Sequence, residues 1–243
     1  MKCYYTKKEG LEKLINYLRE RGIRPVPAGK VWSTGPVSWY TDWNRFRESA
    51  AALHEESFLV LNGLAGTEHH LTYAFLLKLS GRLSYIHIDA HADCAPSPSE
   101  HYFYFDSASF VRALLQDFMN IEEAIMLGTT KGLENDNVLE AGVVHKIRIY
   151  SPQDCAFVTK RSEKRTEWQR LSDWDPTSIK TDRIYLSIDL DVLENVSFAK
   201  LVKLVRGLGD RQIVGADLCN IGYLTSQKFY TLYQTLEQVV GQR

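Results

Sequence analysis

Apolar residues recur along the chain in two rhythms, and the switches between them mark the elements. Leu11, Leu14, Ile15 and Leu18 fall at helical spacing, which predicts an amphipathic helix over about residues 7–21. Short continuous apolar runs follow, of the kind that buried strands show: Phe58–Leu61, Leu83–Ile88, Ala124–Leu127, Lys146–Tyr150, Arg183–Ile188 and Ile213–Ala216. Between and after them, Leu71–Leu79, Ser109–Phe118, Phe198–Leu208 and Lys228–Val240 have helical periodicity. Residues 25–50 are rich in Pro, Gly and Trp and take no assignment. Residues 158–182 are highly charged and read as a solvated helix and loop. Strands alternating with helices predict an α/β fold, a three-layer α/β/α sandwich with a mainly parallel central sheet. In such sheets, ligands bind beyond the carboxyl ends of the strands.

Composition narrows the picture little but excludes some classes. The 243 residues suit one domain, 1–243, with 44% hydrophobic and 24% charged residues. A net charge of −1 gives no global attraction to nucleic acid or to an anionic membrane surface. No apolar window approaches the ~20 residues that a membrane span needs, and residues 1–24 are too charged for the core of a secretory signal. Cys3, Cys94, Cys155 and Cys219 are widely spaced and form no CxxC pair, which fits reduced thiols in a cytoplasmic protein.

Chemistry concentrates where strands end. In Tyr85-Ile-His-Ile-Asp-Ala-His-Ala-Asp93, an apolar strand runs into Asp89, His91 and Asp93 at alternating positions. In extended chain these point the same way, so three potential ligands converge. Buried carboxylates brought together are unfavourable unless cations neutralise them. Tyr185-Leu-Ser-Ile-Asp-Leu-Asp191 is a second apolar strand ending in two acids, Asp189 and Asp191. Gly66-Thr-Glu-His69-His70 offers imidazoles in the loop after the first core strand. Any one of these motifs has a plain structural explanation; their combination is harder to dismiss.

Together, DAHAD at 89–93, SIDLD at 187–191 and the looser GTEHH at 66–70 resemble the metal-binding motifs of the ureohydrolases, the arginase and agmatinase family. Met126-Leu-Gly-Thr-Thr-Lys-Gly-Leu-Glu134 resembles that family's strand-then-glycine segment. The resemblance implies two Mn²⁺ ions. One would be held by His69, Asp89, Asp93 and Asp189, the other by His91, Asp89, Asp189 and Asp191. Shells rich in oxygen suit Mn²⁺ better than a structural zinc site. Two cations about 3.5–4 Å apart can share a water and lower its pKa, and the hydroxide formed can attack a guanidinium carbon to release urea and an amine. By resemblance, Asp93 orients that hydroxide and moves its proton. Relatives of this kind often form homo-oligomers.

The chain also departs from the family pattern. Where the family carries a glutamate that pairs with the guanidinium, this chain has Asn220, three residues after Asp217. Either Asn220 suffices, or an acid among Asp217, Glu194, Glu68 and Asp106 holds the substrate's cation. The proton-shuttling histidine is missing, and His101 is the nearby substitute. The loop after SIDLD is short, and the loop that grips free arginine has become Ser97–Phe105. These losses resemble the small arginase-like enzymes that convert arginine side chains within a peptide to ornithine. An arginine-containing peptide is therefore the first expectation for a substrate. A small guanidino or formimino compound such as free arginine or agmatine, an inactive metal-binding scaffold and a deacetylase are the rivals, the last opposed by the extra acids Asp93 and Asp189.

Overall fold

The structure is a computed structural model that describes residues 1–6, 10–29, 37–38, 43–53, 57–63, 66–95, 104–131, 146–152 and 167–240. Its frame is a nine-stranded sheet: β1 (Lys2–Tyr5), β2 (Val26–Pro27), β4 (Phe58–Leu61), β5 (Leu83–Ile88), β7 (Ile121–Leu127), β8 (Ile147–Ser151), β9 (Glu167–Arg170), β10 (Arg183–Asp189) and β11 (Gln212–Cys219). The order across the sheet is β2-β1-β4-β11-β10-β5-β7-β8-β9, and every pairing is parallel. Two further strands, β3 (Val37–Ser38) and β6 (Tyr104–Phe105), pair antiparallel in a separate ribbon.

Alternation along each central strand divides the core in two. On β10, Ile184, Leu186 and Ile188 face one layer while Tyr185 faces the other; on β5, Ile86 and Ile88 oppose Leu83 and Tyr85. The first layer is completed by α1 (Glu12–Arg19), α5 (Phe198–Arg206) and α6 (Ser226–Val239), through residues such as Ile15, Val205 and Leu232. The second is completed by α2 (Trp43–Glu48), α3 (Thr72–Leu76) and α4 (Phe110–Asp117), through Phe46, Phe75 and Leu114. Helices therefore cover both faces, giving the expected three layers.

Every strand expected from an apolar run is present, although β7 and β11 are longer than their runs. Five strands were not expected: the two-residue β2, β3 and β6, and the longer β1 and β9. β1 is only four residues long and opens on Lys2, and β9 lies within the charged segment read as helix and loop. Both are explained by position. β9 is an edge strand paired only with β8, so it has no need of a continuous apolar sequence. The loop carrying His69 and His70 is also more ordered than expected, coiling into a 3-10 helix over Gly66–Leu71 that leads into α3. No helix among the described residues is long and apolar enough to cross a membrane.

Candidate metal centre

β10 lies between β5 and β11, so the carboxyl ends of these strands are neighbours. The same device operates at two of them. At the end of β5, Asp89 Oδ1 accepts a hydrogen bond from the backbone N–H of His91 (2.7 Å). At the end of β10, Asp189 Oδ1 accepts one from the N–H of Asp191 (3.0 Å). Each aspartate thus turns its own backbone away from the strand, as short acids do in turns. Each then presents Oδ2 to one imidazole nitrogen: His69 Nδ1 lies 3.3 Å from Asp89 Oδ2 and 3.4 Å from Asp189 Oδ2. Asp93 Oδ2 is the third oxygen there, at 3.1 Å.

The convergence expected for Asp89, His91 and Asp93 is present, but its cause differs. The strand stops at Ile88, and Asp93 has left-handed backbone (φ 48°). The turn, not continued extension, brings Asp93 back over His69. Non-glycine residues enter this region at an energetic cost, and short polar side chains are among those that tolerate it best.

A second imidazole marks a second pocket. His91 Nδ1 lies 2.9 Å from Asp191 Oδ2 and 3.6 Å from Asp89 Oδ1. Asp191 Oδ1 accepts the N–H of Ala90 (3.2 Å), which ties the two strand ends together. The pockets differ in access: the His69 side chain is 2% exposed and that of His91 is 43% exposed.

Electrostatics shows what the arrangement suits. Burial and the neighbouring Asp89 carboxylate push Asp93 up to about 8. Burial raises Asp189 to about 6, assisted by Asp89 and Asp191. Burial disfavours the charged form of His69, yet its bonds to Asp89 and Asp93 hold its pKa well above the ordinary value. Hydrogen bonds to Asp191 and Asp89 raise His91 to about 10. Four carboxylates and two imidazoles crowded in this way fit divalent cations, because oxygens that repel one another become ligands around a shared positive charge.

Beneath the ligands is a polar layer. His69 Nε2 lies 2.9 Å from Ser187 Oγ, and the Ser187 hydroxyl donates to Asp217 Oδ2 (3.3 Å). The Ser187 oxygen is then an acceptor for Nε2–H, which leaves Nδ1 with its lone pair directed at the acids, the tautomer a ligand requires. Asp217 also accepts from Tyr185 (2.8 Å) and Thr72 (2.9 Å). His87 was not anticipated from the sequence. It stacks on His69 with ring centroids 5.3 Å apart, and its Nε2 lies 3.3 Å from Asp89 Oδ2. Tyr85 bonds its Nδ1 (3.0 Å), and burial lowers its pKa to about 4, so it is neutral. The signal was available: a histidine two residues before Asp89 shares that residue's face of the strand.

The expected substrate contacts fare differently. Asp217 is fully buried with both oxygens engaged, so it belongs to the floor of the centre and not to its mouth. Asp106 closes the turn that leads into α4, accepting from the Ser109 hydroxyl (2.8 Å) and the Ala108 N–H (3.0 Å). Asn220 turns inward: its Nδ2 donates to Asp189 Oδ1 (2.6 Å), and its backbone is left-handed (φ 52°). Glu68 is buried in the 3-10 helix. Glu194 stands at the open side, 41% exposed, where it meets Lys131 and Tyr223. His101 lies outside the described residues, as does most of Ser97–Phe105.

The arginase family model matches residues 43–222, a span that contains every ligand candidate. The chain belongs to the arginase family. Among solved structures, an arginase from Helicobacter pylori is similar over 99% of this chain and 100% of its own, with a TM-score of 0.62 and 12% identity. A proclavaminate amidino hydrolase from Streptomyces clavuligerus is 16% identical, with a TM-score of 0.53 over 88% of this chain and 75% of its own. A hypothetical agmatinase from Burkholderia thailandensis is 19% identical with a TM-score of 0.48, covering 79% of this chain, and this chain spans only 60% of its length. At these identities, the likeness is one of fold. No curated protein matches the sequence. Family membership accounts for the two strand-end motifs.

Proposed function

We propose that this arginase-family hydrolase holds two Mn²⁺ ions and cleaves a guanidino C–N bond, releasing urea, with arginine in a peptide as its substrate and ornithine as the product. The observation that carries the reading is the grouping of Asp89, Asp93, Asp189 and Asp191 around two inward-facing imidazole Nδ1 atoms at neighbouring strand ends. His69, Asp93, Asp89 and Asp189 would hold the buried ion; His91, Asp191, Asp89 and Asp189 the exposed one. When bound, the pair supplies Lewis acidity that brings the pKa of water towards neutrality.

The chain's own residues supply the rest. Asp93 places its Oδ2 against His69 in the buried half, and as the carboxylate that a bound ion would require it could take a proton from the attacking water and pass it to the leaving amine. Water adds to the guanidinium carbon, the tetrahedral species collapses, and urea and a primary amine leave. Ser187 and Asp217 fix the His69 tautomer, and Asn220 fixes Asp189.

The preference for a peptide is supported by the shape of the mouth. After Asp191 the chain closes a single 3-10 turn, Leu190–Glu194, and enters α5 through the Ser197 cap. No long loop rises there, and His91 remains accessible. The test is to load the protein with Mn²⁺ and measure urea from free arginine, agmatine and arginine-containing peptides. Urea from peptides alone supports the full reading. Urea mainly from a small molecule retains the chemistry and sinks the peptide preference. Two bound metals with no urea from any substrate sinks the hydrolase reading.

A further inference from the structure

The open side of the centre is bordered by Lys131, Glu194 and Tyr223. Lys131 Nζ donates to Glu194 Oε2 (2.9 Å), and the Tyr223 hydroxyl donates to Glu194 Oε1 (2.8 Å). All three sit on the segments that place the metal ligands. Lys131 follows β7 and pairs with His91 through an isolated parallel bridge. Glu194 ends the 3-10 turn that carries Asp191. Tyr223 ends the turn that Asn220 opens, and it is one of the few large exposed hydrophobic residues, at 49%. The group is electrostatically in touch with the centre: Glu194 feels His91, and Lys131 feels Asp191 and Asp89.

We propose that Glu194 is the carboxylate that receives the substrate's guanidinium, and that the Lys131 ammonium occupies this place as an internal cation until the substrate displaces it. This rests on the guanidino-hydrolase reading above. The alternatives at the site are committed elsewhere. Asp217 is sealed in the floor, Asp106 is engaged in the turn before α4 and Asn220 directs its amide to Asp189. Glu194 is solvent-accessible, and one of its two partners is itself a cation. An ammonium meets one carboxylate oxygen as a point charge, whereas a planar guanidinium can bond both oxygens at once. Tyr223 keeps one carboxylate oxygen oriented and offers an exposed ring over which a guanidinium can lie. The arrangement therefore discriminates: a guanidinium can outcompete Lys131, while an amine product, bonding as Lys131 does, gains no advantage and leaves.

The experiment uses the full chain loaded with Mn²⁺ and N-acetyl-arginine amide as the probe. Glu194→Gln should raise KM for urea release tenfold or more, with kcat changed less than threefold. Lys131→Met should lower KM at least threefold, because the competing cation is gone. Both variants should titrate with the same number of Mn²⁺ ions as the wild type, which separates rim effects from damage to the ligands. An unchanged KM in Glu194→Gln overturns the assignment of Glu194. A KM raised by Lys131→Met overturns the placeholder role, since Lys131 would then assist binding. If the wild type binds two metals but releases no urea, the hydrolase reading fails separately. The rim is then read from equilibrium binding of the same probe, where weakening by Glu194→Gln and tightening by Lys131→Met support it and equal affinities overturn it.

Discussion

The two halves of the centre meet at Asp89, which faces both His69 and His91, and in the proposed reading share Asp189 as well, but they differ in almost everything else. The His69 half is sealed, rests on Ser187, Asp217 and His87, and contains the two acids whose pKa values are pushed upward. The His91 half faces solvent, has Asp191 as its close acid and is bordered by the exposed ion pair of Lys131 and Glu194. The difference teaches that one half is built for holding and the other for admitting. A buried ligand set with its own hydrogen-bonded support would fix an ion in place, while an exposed set beside an accessible ion pair would leave room for the cationic substrate proposed above.

The sharpest break of that comparison is Asp189→Ala, which removes an oxygen from both halves. Urea release should fall below detection and both metals should be lost on dialysis. His91→Ala should instead empty only the open half, leaving one ion per chain by metal analysis. If Asp189→Ala still retains two ions, the shared-ligand description is wrong. Next in size is Asn220→Ala. It frees Asp189 Oδ1 from its 2.6 Å bond and should weaken Mn²⁺ binding roughly 10–100-fold by competitive titration. An unchanged affinity would make Asn220 a spectator of the buried half.

A smaller effect is expected at the junction of the two halves. Gly128 follows β7 with φ +92°, and a Cβ there would collide with Val192 Cγ2, on the turn that carries Asp191. Gly128→Ala should cost about 1–3 kcal/mol in denaturant unfolding. It should also disturb the second Mn²⁺ more than the first. Equal loss of both ions would argue against the separation into halves.

The mildest test is pH. The folded chain keeps the Asp93 proton up to about 8, above the ordinary value of 3.8, so the stability this gives is lost as pH rises through that range. His69 and His91 are raised from 6.5, His91 to about 10, so their contribution is complete below about 6.5 and also fades as pH rises. All three run in one direction. The Tm of the metal-free protein should therefore fall between about pH 6.5 and 9. The increment from Mn²⁺ should grow over the same window, because ligands must lose protons to bind. A constant increment would show that these groups do not titrate with the metal.

Much of this was legible in the sequence, and the misses have identifiable causes. β5 and β10 are buried on both faces, so their apolar runs stand out, and their terminal acids stand out against them. β1 and β9 were missed because a four-residue strand and an edge strand leave weak patterns. Asp217 was legible as an acid of the last core strand but not as a buried one, because its depth is set by Thr72 and Tyr185 from other segments. Asn220 carried a readable hint, since Asn tolerates left-handed backbone, but its partner Asp189 lies 31 residues away and only the fold brings them together.

The position of β10 in the sheet has a consequence for how the protein matures. β10 reaches its place between β5 and β11 only after a long stretch of chain has been synthesised, and it brings Asp189 and Asp191 with it. His69, Asp89, His91 and Asp93 alone form an incomplete set. A cation held by ligands from both strand ends would therefore join late and fasten what distant pairing has already assembled. Departure of an ion from the sealed His69 half should thus be tied to the parting of β10 from β5, whereas an ion in the exposed His91 half could leave with the sheet intact.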